Sequence, residues 1–365
     1  MSYREAGQEL YLLWKVAVST GGLRDVTLRH GRVADTLISD KVAYLEATAA
    51  MPTARPEQLV MGTDGAMVAL TSGEWREVKT VAFGEFHPFW DVKEGKVVTK
   101  TERVSYFSRV APAEAFNRLA LVEWHRRGGE NAHTVVAVQD GALWIQSFID
   151  FHCPQAVRVI DFAHALGYVA AVGRAIHGAE SIAFQQWYAR MRRQMGCHPP
   201  QRTLSELRLL QRQHPDHPEE QTIESAIRYL EKRLPMIDYP HFRRRQLPIG
   251  SGHVESGHKV VMQHRMKRAG MRWAEENLNP MLALRVALCN QTWNTTGREI
   301  EARIRQDKYA ARQSASPQVA DSRLVTEADC QRLTTLADLI GRKKRHPWRN
   351  NRWVFPYRPN SLHQN

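Results

Sequence analysis

Three carboxylates, far apart along the chain, hold the most specific chemistry in this sequence. Glu255 is the only acidic residue between Asp238 and Glu275, and it sits in HFRRRQLPIGSGHVESGHKVVMQHRMKRAGMRW, His241 to Trp273, among eight Lys and Arg residues. A lone acid among cations is either a local ion-pair partner or a metal ligand beside a polyanion. Phosphoryl transfer on nucleic acid requires the second arrangement, with acids to hold divalent metal and cations around them to hold phosphates. Asp64 in MGTDG and Asp140 in VVAVQDG are the candidates to complete such a set. Each is followed by glycine, and an Asp-Gly pair also fits a hairpin turn. Thr71-Ser72-Gly73 makes the better turn after the first strand, however, and the residues after Asp140 have helical spacing. Glu255 also fits an ordinary Glu-to-Lys pair with Lys259, worth only about 0.2–0.5 kcal/mol.

The elements that would carry these acids can be read from periodicity. QLVMGTDGAMVAL, EWREVKTVAF and KVVTKTERVSYFSRV alternate as strands, and Ala111 to Arg127 has helical spacing. HTVVAVQD reads as a buried strand, LWIQSFIDF as a helix, VRVID as a short strand, and FAHALGYVAAVGRAIHG as a helix. The order is strand-strand-strand-helix-strand-helix-strand-helix, an α/β pattern of the RNase H-like kind: a mixed sheet flanked by helices. In that order the first and fourth strands are neighbours, which brings Asp64 and Asp140 to one edge. Ser251 is placed to N-cap a helix with Glu255 in its first turn, where the helix dipole favours the ionised acid. On a helical wheel Glu255 shares a face with Lys259, Met262, Met266 and Trp273. The expected divisions are a short helical region at 1–56, a core at 57–178, a helical insertion at 179–246 before the last catalytic helix, the rest of the core at 247–312, and a basic, aromatic tail at 313–365. The last helical region is expected to break near Pro280.

Composition narrows the function. The chain has 365 residues and a net charge of +13. The stretch around Glu255 and the tail from Gly341 to Asn365 each carry a net +7, so the remainder is near neutral. Two cationic zones on a neutral body suit a nucleic-acid partner. Lys259, Arg265, Lys267, Arg268 and Arg272 are the candidate phosphate contacts. Four cysteines without paired spacing exclude a disulfide framework, and no apolar run approaches a membrane span, which implies a cytoplasmic protein associated with the nucleoid and no membrane partner. Three oxygen donors suit Mg²⁺, or Mn²⁺ in its place, and two such ions would serve both the attacking and the leaving oxygen. Asp161 and His164 form D-x-x-H where VRVID meets the next helix. Asp161 there is a helix cap with His164 packed beside it, or the pair supports the metal site. No Gly-rich phosphate loop with lysine and no Gly-x-Ser-x-Gly points to another mechanism.

With these residues laid out, the chain resembles the DDE transposases of bacterial insertion sequences, in the group named after the Kra element, within the Mutator-like superfamily. The resemblance runs from about Glu57 to the C-terminus, and LPIGSGHVESGHKVVMQHRMKRAGMRW with the following LALRVALCNQTWN is its most specific segment. TDG with GEWREVKT, VQDGALWI, VIDFAHA and the late HPWR are similar to family segments as well. It implies an RNase H-like domain with Asp64, Asp140 and Glu255 as catalytic, Mg²⁺-binding residues and Asp161 and His164 as the C/D-x-x-H element. It also implies cleavage of double-stranded DNA at transposon ends, strand transfer into target DNA, and a homo-oligomer assembled on DNA. Relatives carry a longer region ahead of the first Asp, so the 63 residues before Asp64 read as a shortened DNA-binding part. The alternative is a truncated, non-catalytic DNA-binding remnant that competes with a full-length enzyme.

Overall fold

The computed structural model describes residues 2–93, 95–314 and Gln331. The chain divides into two units, Met1–Asp307 and Lys308–Asn365, and the sheet, the core and the candidate site all belong to the first. The basic, aromatic tail lies outside the described residues except for Gln313, Ser314 and Gln331. No helix among the described residues is long and apolar enough to cross a membrane.

The N-terminal region forms α1 (Tyr3–Trp14) and α2 (Thr20–Thr48). A capping box between Ser2 and Glu5 starts α1, yet this helix buries none of its residues and Leu12 and Leu13 stand in solvent. Three strands follow: β1 (Gln58–Ala69), β2 (Trp75–Asp91) and β3 (Lys96–Arg109). Gly73, at φ +93°, closes the β1–β2 turn. Then come α3 (Ala113–Arg126), β4 (Thr134–Gln139), α4 (Leu143–His152), β5 (Val157–Ile160) and α5 (Phe162–His177). The sheet is mixed, in the order β3-β2-β1-β4-β5, with β1 parallel to β4 and β4 parallel to β5. The expected order of strands and helices is therefore the observed one.

Strand alternation sorts the two faces. Leu59 and Met61 face a core made with Phe83, Phe107, Phe116, Trp124 and Phe148. Val60 faces the opposite way, into a core with Val136, Val159, Ile160 and α5. Four further helices extend that second core: α6 (Ile182–Cys197), α7 (Pro200–Gln213), α8 (Glu220–Glu231) and α9 (Tyr239–Arg244). Farther along β1, Val68 joins a third core with Val254, Val261, Met262, Met266 and Leu282. These come from α10 (Gly252–Gly257), a π-helical turn at His258–Gln263, α11 (His264–Met266) and α12 (Leu278–Cys289); α13 (Trp293–Ser314) closes the described chain.

Two local expectations change. The break in the last helical region precedes Pro280 and is made by Lys267–Ala274, where Gly270 takes φ +71° and Trp273 exchanges backbone hydrogen bonds with Ala69 and Thr71. Pro280 lies in the first turn of α12, where its missing N–H costs nothing. The helical wheel also fails at one end. Met262, Met266 and Trp273 are buried, but Glu255 and Lys259 are exposed, because the π turn at His258–Gln263 shifts the phase between them.

His152 gives the fold an acid sensitivity. Part of the residue reaches solvent, but both ring nitrogens are buried with no partner in hydrogen-bonding geometry, between Trp124, Phe148 and Phe151. Burial lowers its pKa from 6.5 to about 3, offset only in part by the Asn117 backbone. Below pH 6.5 the unfolded chain takes up a proton that the folded chain refuses. Stability is therefore full above pH 6.5 and falls by up to about 1.4 kcal/mol per unit as pH drops toward 3. In urea melts from pH 7 to pH 4, His152→Phe is expected to flatten this loss; an unchanged slope would reject the assignment.

Candidate active site

Asp64, Asp140, Asp161, His164 and Glu255 line one cavity of about 260 Å³. The acids come from three separate parts of the chain, and the sheet brings the first two together. The parallel register runs to Gly62 opposite Val138, so Asp64 on β1 and Asp140 just past the end of β4 both follow the last paired residues of neighbouring strands. Neither Asp-Gly pair is a hairpin. Asp64 and Gly65 lie inside β1, paired with Thr80 and Lys79. Asp140 and Gly141 form the exit from β4 toward α4. Gly141 takes φ +88° there, and a Cβ would fall 2.6 Å from both Arg233 Nε and the Tyr229 hydroxyl.

Each carboxylate is held by a short local contact. Gly65 N–H donates to Asp64 Oδ1 at 2.7 Å, and Ala142 N–H donates to Asp140 Oδ1 at 2.8 Å. The Ser251 hydroxyl donates to Glu255 Oε1 at 3.2 Å. Ser251 is thus the N-cap residue of α10, as expected, but its side chain serves Glu255 rather than the helix backbone. His258 Nε2 stands 3.3 Å from Asp64 Oδ2, though off the line of a hydrogen bond. Burial is the largest single influence on Asp64 and raises its pKa. Contact with His258, the Gly65 N–H and the charge of His164 outweigh it together and leave Asp64 below the usual carboxylate value.

Asp161 fixes the loop that presents Glu255. Its Oδ1 accepts from His164 N–H at 2.7 Å, capping α5, and its Oδ2 accepts from Ser251 N–H at 2.7 Å. It therefore caps the helix, as the plainer reading of D-x-x-H has it, and also ties α5 to the start of α10. His164 lines the cavity with its ring edge on Tyr168 and Tyr229. Asp161→Ala removes both bonds and is expected to cost about 2–4 kcal/mol in denaturant melts, with Asn at this position recovering part. A loss within 0.5 kcal/mol, as for an ordinary surface substitution, would refute this role.

Residues that spacing did not reveal complete the surroundings. His253, buried beneath β1, and His258 flank Glu255 at two residues before and three after, and their burial follows from the helix facing the sheet. The Tyr229 hydroxyl of α8 donates to the Asp140 carbonyl, and Arg233 Nη2 donates to the Gly141 carbonyl at 3.0 Å. Arg233 also stacks on the Tyr229 ring, which stacks in turn with Tyr168. No periodicity signals such contacts, because the partners lie about ninety residues away.

The five candidate cations separate into two sets. Lys259, Lys267 and Arg272 are exposed and have no ion-pair partner among the described residues. Arg265 lies over the rings of Tyr3 and Trp273, and Arg268 stands 3.5 Å from Glu5. These two hold α1 against the basic segment.

The acids fit a hard divalent cation by donor type. All are carboxylate oxygens, and no lysine or arginine pairs with any of the three among the described residues, despite 51 such residues in the chain. Their side chains do not themselves close into a group of three metal-ligating residues among the described residues. No family model matches the chain, and no curated protein matches it.

Proposed function

We propose that the protein is a DDE transposase that cleaves and joins DNA at the ends of an insertion sequence, with Asp64, Asp140 and Glu255 as its catalytic carboxylates. The observation that carries this reading is the meeting of these three acids, 76 and 115 residues apart in the chain, at one cavity free of lysine and arginine partners. The strand order supports an RNase H-like core, with α6 to α9 as a helical insertion between Asp161 and Glu255. The resemblance around LPIGSGHVESGHKVVMQHRMKRAGMRW adds the substrate class.

Asp64, Asp140 and Glu255 would hold Mg²⁺ or Mn²⁺, which when bound activates the attacking oxygen, from water or a DNA 3′-hydroxyl, and stabilises the leaving one. The protein's own part is orientation. Gly65 N–H, Ala142 N–H and the Ser251 hydroxyl each fix one carboxylate oxygen. His258 holds Asp64 from the side, and Tyr229 and Arg233 hold the turn that bears Asp140. Lys259, Lys267 and Arg272 supply exposed charge for DNA phosphates, without which binding to a polyanion would be weak. The direct test is incubation of the purified chain with supercoiled and linear DNA bearing candidate element ends. Nicking or joining in Mg²⁺ but not in EDTA is expected; salt-sensitive binding with no turnover in Mg²⁺ or Mn²⁺ would leave only the DNA-binding remnant.

A further inference from the structure

A second cavity adjoins the first. Between β3 and the chain that leads into α10 lies an open groove of about 510 Å³. Lys96 and Thr99 line it from β3 beside Val97 and Val98, Arg243 and Gln246 from the end of α9 and just beyond, and the apolar run 247–249 leads to Gly250 and Gly252; no Asp or Glu lines it. The Thr99 hydroxyl donates to the Gln246 carbonyl at 3.0 Å, which joins the two sides. Ser251, between the two glycines, lines the carboxylate cavity. Groove and cavity thus share one wall, a three-residue loop.

Basic character continues beyond the outer end. Arg243 Nη1 donates to the Gly196 carbonyl at 3.0 Å, which brings the last turn of α6 alongside. Arg192 stands one turn before Gly196 on the same side of that helix. Arg192, Arg193, Arg244 and Arg245 are all exposed, and none has an ion-pair partner among the described residues. Unpaired arginines next to an acid-free groove, whose walls mix Thr and Gln side chains with apolar ones, suit the phosphates and sugars of a nucleic-acid strand and not a cationic partner.

We infer that this groove carries one DNA strand away from the carboxylate cavity, with Arg243 on the phosphate nearest the Gly250–Gly252 loop and Arg192, Arg244 and Arg245 on those that follow. The inference rests on the phosphodiester reading of the cavity. It moves the main track of the bound strand to the α6–α9 side, apart from the cations at 259–272.

Val97 allows a test that leaves the fold alone, because it lines the groove and is 48% exposed. Binding of the full chain to a fluorescent duplex with a single-stranded overhang is measured in EDTA. Val97→Glu is expected to weaken it roughly tenfold at low salt, whereas Val97→Lys binds at least as well as wild type. Arg244→Ala and Arg245→Ala should each make the slope of log affinity against log salt shallower by about 1. Wild-type binding and slope in these variants would overturn the inference, and so would equal weakening by Val97→Glu and Val97→Lys, which would mean a perturbed ribbon rather than a charge effect. Cleavage in Mg²⁺ is scored separately. Wild-type cutting alongside an indifferent groove removes the strand track alone, whereas a charge-sensitive groove in a chain that never cuts removes the phosphodiester reading.

Discussion

Asparagine at position 64 or 140, or glutamine at position 255, is expected to lower Mg²⁺-dependent DNA cleavage by about 1,000-fold or more, equivalent to about 4 kcal/mol of lost transition-state stabilisation. Fold and DNA binding should survive, because of which oxygens are already engaged. Asp64 Oδ1 accepts from Gly65, Asp140 Oδ1 from Ala142, and Glu255 Oε1 from Ser251. An amide oxygen can accept each of these bonds. What the amide cannot supply is the negative charge that a divalent cation at the cavity would require. Asp64→Asn also changes the group 3.3 Å from His258 Nε2, so a small loss of stability is expected at that position alone. The measurement pairs initial cleavage rates in Mg²⁺ and Mn²⁺ with melting temperatures and binding in EDTA. Activity within tenfold of wild type in either aspartate variant would defeat the metal-ligand assignment. Full activity in Glu255→Gln alone would reduce Glu255 to a partner of Ser251 and leave the two aspartates as the site.

How much of this could be read from the chain depends on the range of the interaction behind each feature. Alternation in QLVMGTDGAMVAL and the apolar run in HTVVAVQD are local signals, and they yielded both strands. Their adjacency followed from strand order, since a parallel pair must be joined by a crossover. Two local readings failed for local reasons. The wheel through Glu255 assumed 3.6 residues per turn, and the π turn at His258–Gln263 uses more. Pro280 was taken as a breaker, although the first turn of a helix accepts proline. The contacts of Arg265 with Tyr3 and of Tyr229 with Asp140 span 262 and 89 residues, and composition gives no sign of them. Glycine was the subtler omission. Gly141 was weighed as half of a turn, and only the packing of Tyr229 and Arg233 against it shows a second demand on that position.

Gly62→Ala should disable the site without touching any carboxylate. Gly62 lies on β1 two residues before Asp64 and faces the same side of the sheet. A Cβ built there would fall 2.4 Å from Nε2 and 2.8 Å from Cε1 of His253, well inside van der Waals contact. His253 is a buried ring 9% exposed, and it stands on the six-residue helix that carries Glu255. The added methyl is fixed to a strand bonded on both sides, with Ala82 on β2 and Val138 on β4. The strand cannot retreat, so the helix must lift, and Glu255 moves with it away from Asp64. Overpacking of this kind costs about 1–3 kcal/mol of stability. A shift near 1 Å at a reacting group costs on the order of 100-fold in rate. The companion variant His253→Ala opens the space the methyl needs, so the double variant should recover part of both losses, a coupling that independent sites would not show. Melting temperature and cleavage rate for the four members of this cycle decide the matter. A Gly62→Ala protein with wild-type values for both, or a double variant whose losses simply add, would mean that the spacing between β1 and α10 does not set the position of Glu255.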